Sequence, residues 1–144
     1  MSPHLPKRVL VICTHNAVRS QMAEAFFLVQ APDRFNVHSA GTNPIRVDPR
    51  TVQVMREVGV DISSAMSKSL DEFVRQRFDY VITVCSDADR TCPGFPGPVE
   101  ISHWDLPDPA SVHGKPEDQI AVFRQVRDRI RDLVADFIKT HSPG

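Results

Sequence analysis

One stretch constrains this chain more than any other: VLVICTHNAVRSQMAE, residues 9 to 24. An apolar, β-branched run stops at Cys13, five residues follow, and Arg19 and Ser20 then open sequence of helical character. A strand ending at Cys13 and a helix beginning near Arg19 leave a short loop between them. The loop amides and the first N–H groups of the helix, which have no partner inside the helix, converge on one point and suit a tetrahedral oxyanion. Arg19 adds a forked, permanent cation able to hold two oxygens. The same field favours a thiolate at Cys13, and Ser20 is placed to donate to it, so Cys13 reads as a nucleophile. Thr14, His15, Asn16, Ala17, Val18, Arg19 and Ser20 are the expected oxyanion-binding loop.

The rest of the composition narrows the partner. With 17 basic and 18 acidic residues and no basic run, the 144-residue chain does not read as a nucleic-acid binder; a small anion fits better. One domain, residues 1 to 144, is expected from this length. The first residues, MSPHLPKR, are too short and polar for a signal peptide, and no apolar run reaches membrane-spanning length. The expected setting is cytoplasmic, with no membrane partner and a monomeric chain. Three cysteines there do not form a structural disulfide framework. The six histidines show no ligand spacing, and neither metal nor cofactor is expected.

Strands and helices alternate along the chain. Arg8 to Cys13, Phe35 to Ser39, Asp79 to Cys85 and Val99 to Trp104 read as strands, the first and third as buried apolar runs typical of parallel sheets. Arg19 to Gln30 places Met22, Ala25, Phe26 and Val29 at helical spacing and ends before Pro32. Asp48-Pro49 starts a helix that Gly59 stops, with Val52, Met55 and Val58 facing the core. Ser69 to Arg77 reads as a weaker helix with Leu70, Phe73 and Val74 inward. The last helix begins near Pro116, its core stripe formed by Phe123, Val126, Ile130, Leu133, Val134 and Phe137. The charged residues between them, Arg127 included, read as a solvated face. This order implies an α/β fold of three layers, a parallel sheet flanked by helices.

A second chemical segment follows the third strand: Cys85-Ser-Asp-Ala-Asp-Arg-Thr-Cys92-Pro93. Cys85 ends its strand on the side of the sheet where Cys13 ends the first, so the two sulfurs are candidates to meet, and Cys92 is a second candidate partner. Such alternative pairings would carry oxidation from a buried site to a loop that an outside dithiol can reach. A general acid is also needed, and Asp105 and Asp108 in Trp104-Asp105-Leu106-Pro107-Asp108-Pro109 both qualify, although Asp-Pro also caps turns.

The loop CTHNAVRSQMAE, the turn SAGT, the helix end EVGVDIS, the segment TVCSDADRTCP, and HWDLPDPA followed by FRQVRDRI resemble the thioredoxin-coupled arsenate reductases built on the low-molecular-weight tyrosine phosphatase fold. The resemblance runs from about Arg8 to Phe137. It implies a four-stranded parallel sheet and arsenate as substrate, with phosphate or sulfate as competing oxyanions and thioredoxin as reductant. By the same resemblance, Cys13 attacks arsenate, Asn16 orders the loop, Arg19 neutralises the oxyanion and Asp108 assists loss of hydroxide or water. Cys85 then attacks Cys13 and releases arsenite, and Cys92 takes over Cys85 to give the disulfide that thioredoxin reduces.

The chain also departs from that pattern. Arsenate reductases often have glycine where His15 stands, which implies an unusual backbone there or an added imidazole, and often a cysteine where Val18 stands. Some bind potassium through residues matching Asn16, Glu24, Ser39 and an acidic residue replaced here by Lys68, whose ammonium is expected to substitute for the ion. Two other readings stay open: a phosphotyrosine or small-phosphoester hydrolase using only Cys13, Arg19 and Asp108, and a non-catalytic redox sensor. Against the hydrolase, Ala110 and Ser111 follow the Asp-Pro where tyrosine phosphatases commonly carry aromatic residues.

Overall fold

The computed structural model describes residues 6–85 and 100–141. Four parallel strands, β1 (Lys7–Cys13), β2 (Phe35–Gly41), β3 (Tyr80–Cys85) and β4 (Glu100–Asp105), form one sheet in the order β2-β1-β3-β4. Three α-helices accompany them: α1 (Arg19–Gln30), α2 (Pro49–Arg56) and α3 (Pro116–His141). The α/β fold with its four-stranded parallel sheet is therefore as expected.

Strand order explains where a site can form. From β1 the chain passes to β2 on one side and then crosses to β3 on the other, so the carboxyl end of β1 is the point where the winding reverses. Ligands of open α/β sheets bind at such points. β1 is central, and Val9, Leu10, Val11 and Ile12 are wholly buried. Their alternation divides the core. Val9 and Val11 join α1, α2 and α3 side chains, among them Met22, Phe27, Met55, Phe123 and Ile130. Leu10 and Ile12 pack with Ala40, Leu70, Phe73, Phe78 and Val81.

On that second face, the helix expected over Ser69 to Arg77 is reduced to one 3-10 turn, Leu70–Glu72. Ser69 and Glu72 start it as a reciprocal capping box, the usual opening of a helix. The Gln76 side chain then donates to the Glu72 carbonyl (3.1 Å) while its backbone N–H turns to the Phe73 carbonyl (3.0 Å), and Arg8 ties the Gln76 side chain and the Arg77 carbonyl (2.7 Å each) to β1. Leu70 and Phe73 are buried as expected, while Val74 is exposed.

The other corrections concern which side chains face inward. In α1 Val29, expected to face inward, is 59% exposed, while Phe26 and Phe27 of the same turn are buried. In α2, capped by Asp48 with Pro49 at its first position, Thr51, Val54 and Met55 are fully buried, whereas Val52 and Val58 are only partly so. Arg127 of α3 is buried rather than solvated. It donates to the Val54 carbonyl (2.9 Å) and to Glu57 (2.8 Å), pinning α3 to the end of α2.

Candidate active site

The loop between β1 and α1 is held from below by a buried polar network. Asn16 has φ of +50°, so it, not His15, takes the left-handed conformation that the sequence reading allowed at His15. Asparagine tolerates that region better than most residues. Its side-chain oxygen accepts from Gln21 Nε2 (2.9 Å) and from the Lys68 backbone N–H (2.8 Å). Its Nδ2 donates to Ser20 Oγ (2.7 Å) and Ser39 Oγ (2.9 Å), so all four hydrogen-bonding positions of the amide are used. Ser39 in turn donates to Glu24 Oε1.

That network also reaches the sulfur of Cys13. Ser20 Oγ accepts from Asn16 and stands 2.8 Å from Cys13 Sγ, so that a thiolate at Cys13, having no hydrogen of its own, would take the Ser20 hydroxyl as donor. The Asn16 backbone N–H also donates to Cys13 Sγ (3.2 Å). Cys13, Asn16, Ser20 and Ser39 are all buried. Ser20 Oγ and the Asn16 N–H thus both reach the sulfur from the protein side. Val18, which precedes α1, supplies no side-chain cap hydrogen bond, and the first turn of α1 carries no acidic residue. No side chain therefore caps the N-terminal amides of α1 from its N-cap position.

Gly41, at the end of β2, makes the loop possible by its lack of a side chain. A Cβ there would stand 2.7 Å from the Thr14 carbonyl oxygen and 2.9 Å from the Asn16 nitrogen. The loop rests directly on this strand end, and Thr42 N–H donates to the Cys13 carbonyl (3.2 Å).

A pocket of about 260 Å³ opens above the loop, lined by Cys13, His15, Ala17, Val18 and Arg19, by residues 45–49, and by Asp108 and Ala110. Arg19 is buried and donates to the Leu106 carbonyl (3.0 Å), and its Nη2 stands 4.0 Å from Asp108 Oδ2. Asp108 is both a cap and a pocket residue, since its Oδ1 accepts from Ala110 N–H (3.0 Å) while its other oxygen faces Arg19. Asp105, the alternative, lies exposed at the end of β4 and does not line the pocket. The His15 ring lines the rim with Nδ1 2.9 Å from the Asn43 carbonyl oxygen.

The sequence reading missed the wall contributed by residues 45–49. Asp48 was visible only as a helix cap, yet it also lines the pocket and pairs with Arg50 at 2.7 Å. Burial pushes the Asp48 carboxyl upward, but its side-chain and backbone hydrogen bonds from Arg50 outweigh this and hold it below the ordinary range. Its signal was the Asp-Pro-Arg run, in which an arginine two residues past a cap can return to the cap's carboxylate.

Cys85 ends β3, beside β1. Ile12 pairs with Thr83, so Cys13 and Cys85 are offset by one residue on adjacent strands, which puts their Cα atoms about 6 Å apart on ordinary strand spacing. That separation suits a disulfide. By register, however, successive side chains alternate between faces, so joining the sulfurs requires the end of β3 to turn. Cys13 is a free thiol and Cys85 carries a disulfide here, so they are not joined to each other. Cys92 lies outside the described residues.

The residues suggested for a monovalent cation are brought together but spent on protein partners. Glu24 accepts from Ser39 and stands 3.4 Å from Lys68 Nζ, which also donates to the Met66 carbonyl (3.2 Å). Among the described residues no group of three or more His, Cys, Asp or Glu side chains is arranged for a metal, and no helix is long and apolar enough to cross a membrane.

The sequence profile of the low molecular weight phosphotyrosine protein phosphatases matches residues 8–142. A protein of Halalkalibacterium halodurans named arsenate reductase is 40% identical over 134 residues, 93% of this chain and 96% of its own. A solved arsenate reductase in the phosphate binding state superposes with TM-score 0.79 at 32% identity, over 94% of this chain and 99% of its own. A thioredoxin-dependent arsenate reductase of Corynebacterium glutamicum gives TM-score 0.67 at 33% identity, over 94% of this chain and 64% of its own.

Proposed function

This chain belongs to the low molecular weight phosphotyrosine protein phosphatase family, and within it we propose that the protein reduces arsenate to arsenite by a thiol relay renewed by thioredoxin. The observation that carries this reading is the hydrogen-bonded line Glu24, Ser39, Asn16, Ser20, Cys13, which brings the Ser20 hydroxyl within 2.8 Å of the sulfur beneath an anion pocket. The similar arsenate reductases support the substrate, and the Corynebacterium protein supports the reductant.

In this mechanism arsenate enters the pocket with its oxygens on the loop amides and Arg19. The Cys13 thiolate attacks arsenic, a sulfur–arsenic bond forms, and Asp108 supplies the proton with which one oxygen leaves as water. Arsenic is still pentavalent. The Cys85 thiolate then attacks Cys13 Sγ; the sulfur–arsenic bond breaks with its electron pair on arsenic, and arsenite departs. Two thiols have lost two electrons and arsenic has gained two. Cys92 attacks Cys85, freeing Cys13 as thiolate, and the dithiol of thioredoxin reduces the Cys85–Cys92 disulfide.

Lys68 holds the charge that a bound potassium ion would otherwise supply beside Glu24. Phosphate and sulfate compete for the loop, since they share arsenate's shape and charge. Phosphate esters are poor substrates, because Ala110 offers no ring wall for an aromatic leaving group. A Cys92→Ser variant tests the relay: one arsenite is released per enzyme and a Cys13–Cys85 disulfide accumulates, seen by mass spectrometry of the alkylated digest. Sustained thioredoxin-driven turnover by that variant would contradict the relay.

A further inference from the structure

The acid assigned above, Asp108, sits on the short connection between β4 and α3, and its own turn bonds are local. The Ser111 N–H and hydroxyl both reach the Asp108 carbonyl (3.1 and 2.8 Å), and Ala110 N–H caps its carboxylate. Such bonds shape the 3-10 turn Pro109–Ser111 without saying where it stands relative to Cys13. At the near end the turn is fixed by Arg19, through the Leu106 carbonyl.

The far end is held by a different route. Gln119, in the first turns of α3, donates through Nε2 to the Val112 carbonyl (3.1 Å), and its oxygen accepts from Arg50 Nη1 (3.1 Å). Arg50 is itself immobilised. Its Nε and Nη2 grip the two oxygens of Asp48 (3.0 and 2.7 Å), and its guanidinium lies 4.5 Å above the ring of the fully buried Phe123. Asp48 N–H donates to the Ala17 carbonyl (3.1 Å), inside the anion loop. The turn carrying Asp108 is thus tied at both ends to the loop carrying Cys13.

We propose that Gln119 and Arg50 are positioning residues for Asp108, setting its carboxyl over the oxygen that leaves arsenic. The proposal rests on the arsenate-reductase reading and on Asp108 as its acid. Proton donation is sensitive to placement, because a group displaced by about 1 Å can lose up to a hundredfold in rate. Binding of the ground-state anion, which uses the loop amides and Arg19, does not pass through Gln119. The chemical step and anion affinity should therefore separate.

The experiment is a double-mutant cycle on kcat/KM for arsenate in thioredoxin-coupled turnover, with Gln119→Leu, Asp108→Asn and the pair. The inhibition constant of phosphate is measured on each variant. Expected are a loss of about tenfold for Gln119→Leu, a phosphate constant within about twofold of the parent, and less than about twofold further loss when Gln119→Leu is added to Asp108→Asn. Gln119→Glu keeps the acceptor for Arg50 but loses the donor to Val112, so it should show the same loss in a protein with its Arg50 contact intact. Undiminished kcat/KM in Gln119→Leu, or its full loss repeated in the Asp108→Asn background, would overturn the proposal. So would a phosphate constant that weakens as much as kcat/KM. Failure of the underlying reading looks different: Asp108→Asn then turns over arsenate like the parent, or the parent does not turn it over at all.

Discussion

At the scale of single residues, the site depends on atoms that leave no room for substitution. Gly41→Ala puts a Cβ against the backbone of Thr14 and Asn16, and neither can give way without moving the loop. The expected result is destabilisation of about 1 to 3 kcal/mol by denaturant melting, together with loss of arsenate turnover. Arg19→Ala should lower kcat/KM by about 10² to 10³, in a protein that still melts cooperatively. With the Lys68 ammonium 3.4 Å from Glu24, turnover is expected to be nearly the same in potassium and in sodium salt at equal ionic strength. A several-fold activation by potassium would speak against that role. Cys13, Arg19 and the loop were legible because their spacing dictates a strand, a turn and a helix start. Asn16's backbone was not, since its +50° φ follows from four hydrogen bonds whose partners lie at positions 20, 21, 39 and 68.

At the scale of elements, α2 and α3 are joined through Glu57, whose carboxylate receives Arg124 (2.7 Å) and Arg127 (2.8 Å). The hydrogen bond from Arg124 is the largest cause that pulls its pKa from the ordinary 4.5 down to about 2, with Arg127 adding to it. A depressed carboxyl contributes stability that is present above its unfolded value and lost as pH falls through the folded one. Glu57→Gln should therefore melt below the parent at neutral pH, and the gap should close between about pH 4.5 and 2. A constant gap across that range would mean that the ion pairs contribute nothing. Buried Arg127 was missed because its charge was weighed over its place: it lies four residues after Phe123 and three before Ile130, on the buried stripe itself, where the Val54 carbonyl and Glu57 receive its guanidinium. The helix expected over Ser69 to Arg77 failed for a different reason. Its cap and apolar spacing are real, but the Gln76 side-chain amide takes the Glu72 carbonyl (3.1 Å) that a continuing helix would give to the Gln76 backbone N–H.

At the scale of the whole molecule, the sheet order places the ends of β1 and β3 side by side, and that adjacency gives the proposed relay its path. The alternation of strands and helices was enough to infer a parallel α/β sheet, and the buried runs at β1 and β3 identified its centre. The pocket wall at residues 45–49 was hidden because it depends on how the β2–α2 connection folds back over the loop, with Ile45 N–H on the His15 carbonyl (3.1 Å) and Asp48 N–H on that of Ala17 (3.1 Å). The most direct measurement is NADPH consumption with purified thioredoxin and thioredoxin reductase, with and without arsenate, alongside hydrolysis of a chromogenic phosphate ester by the same preparation. Arsenate-dependent consumption over many turnovers, with little ester hydrolysis, is the expected result. Efficient ester hydrolysis without arsenate-dependent consumption would contradict the reductase and leave a phosphatase in its place.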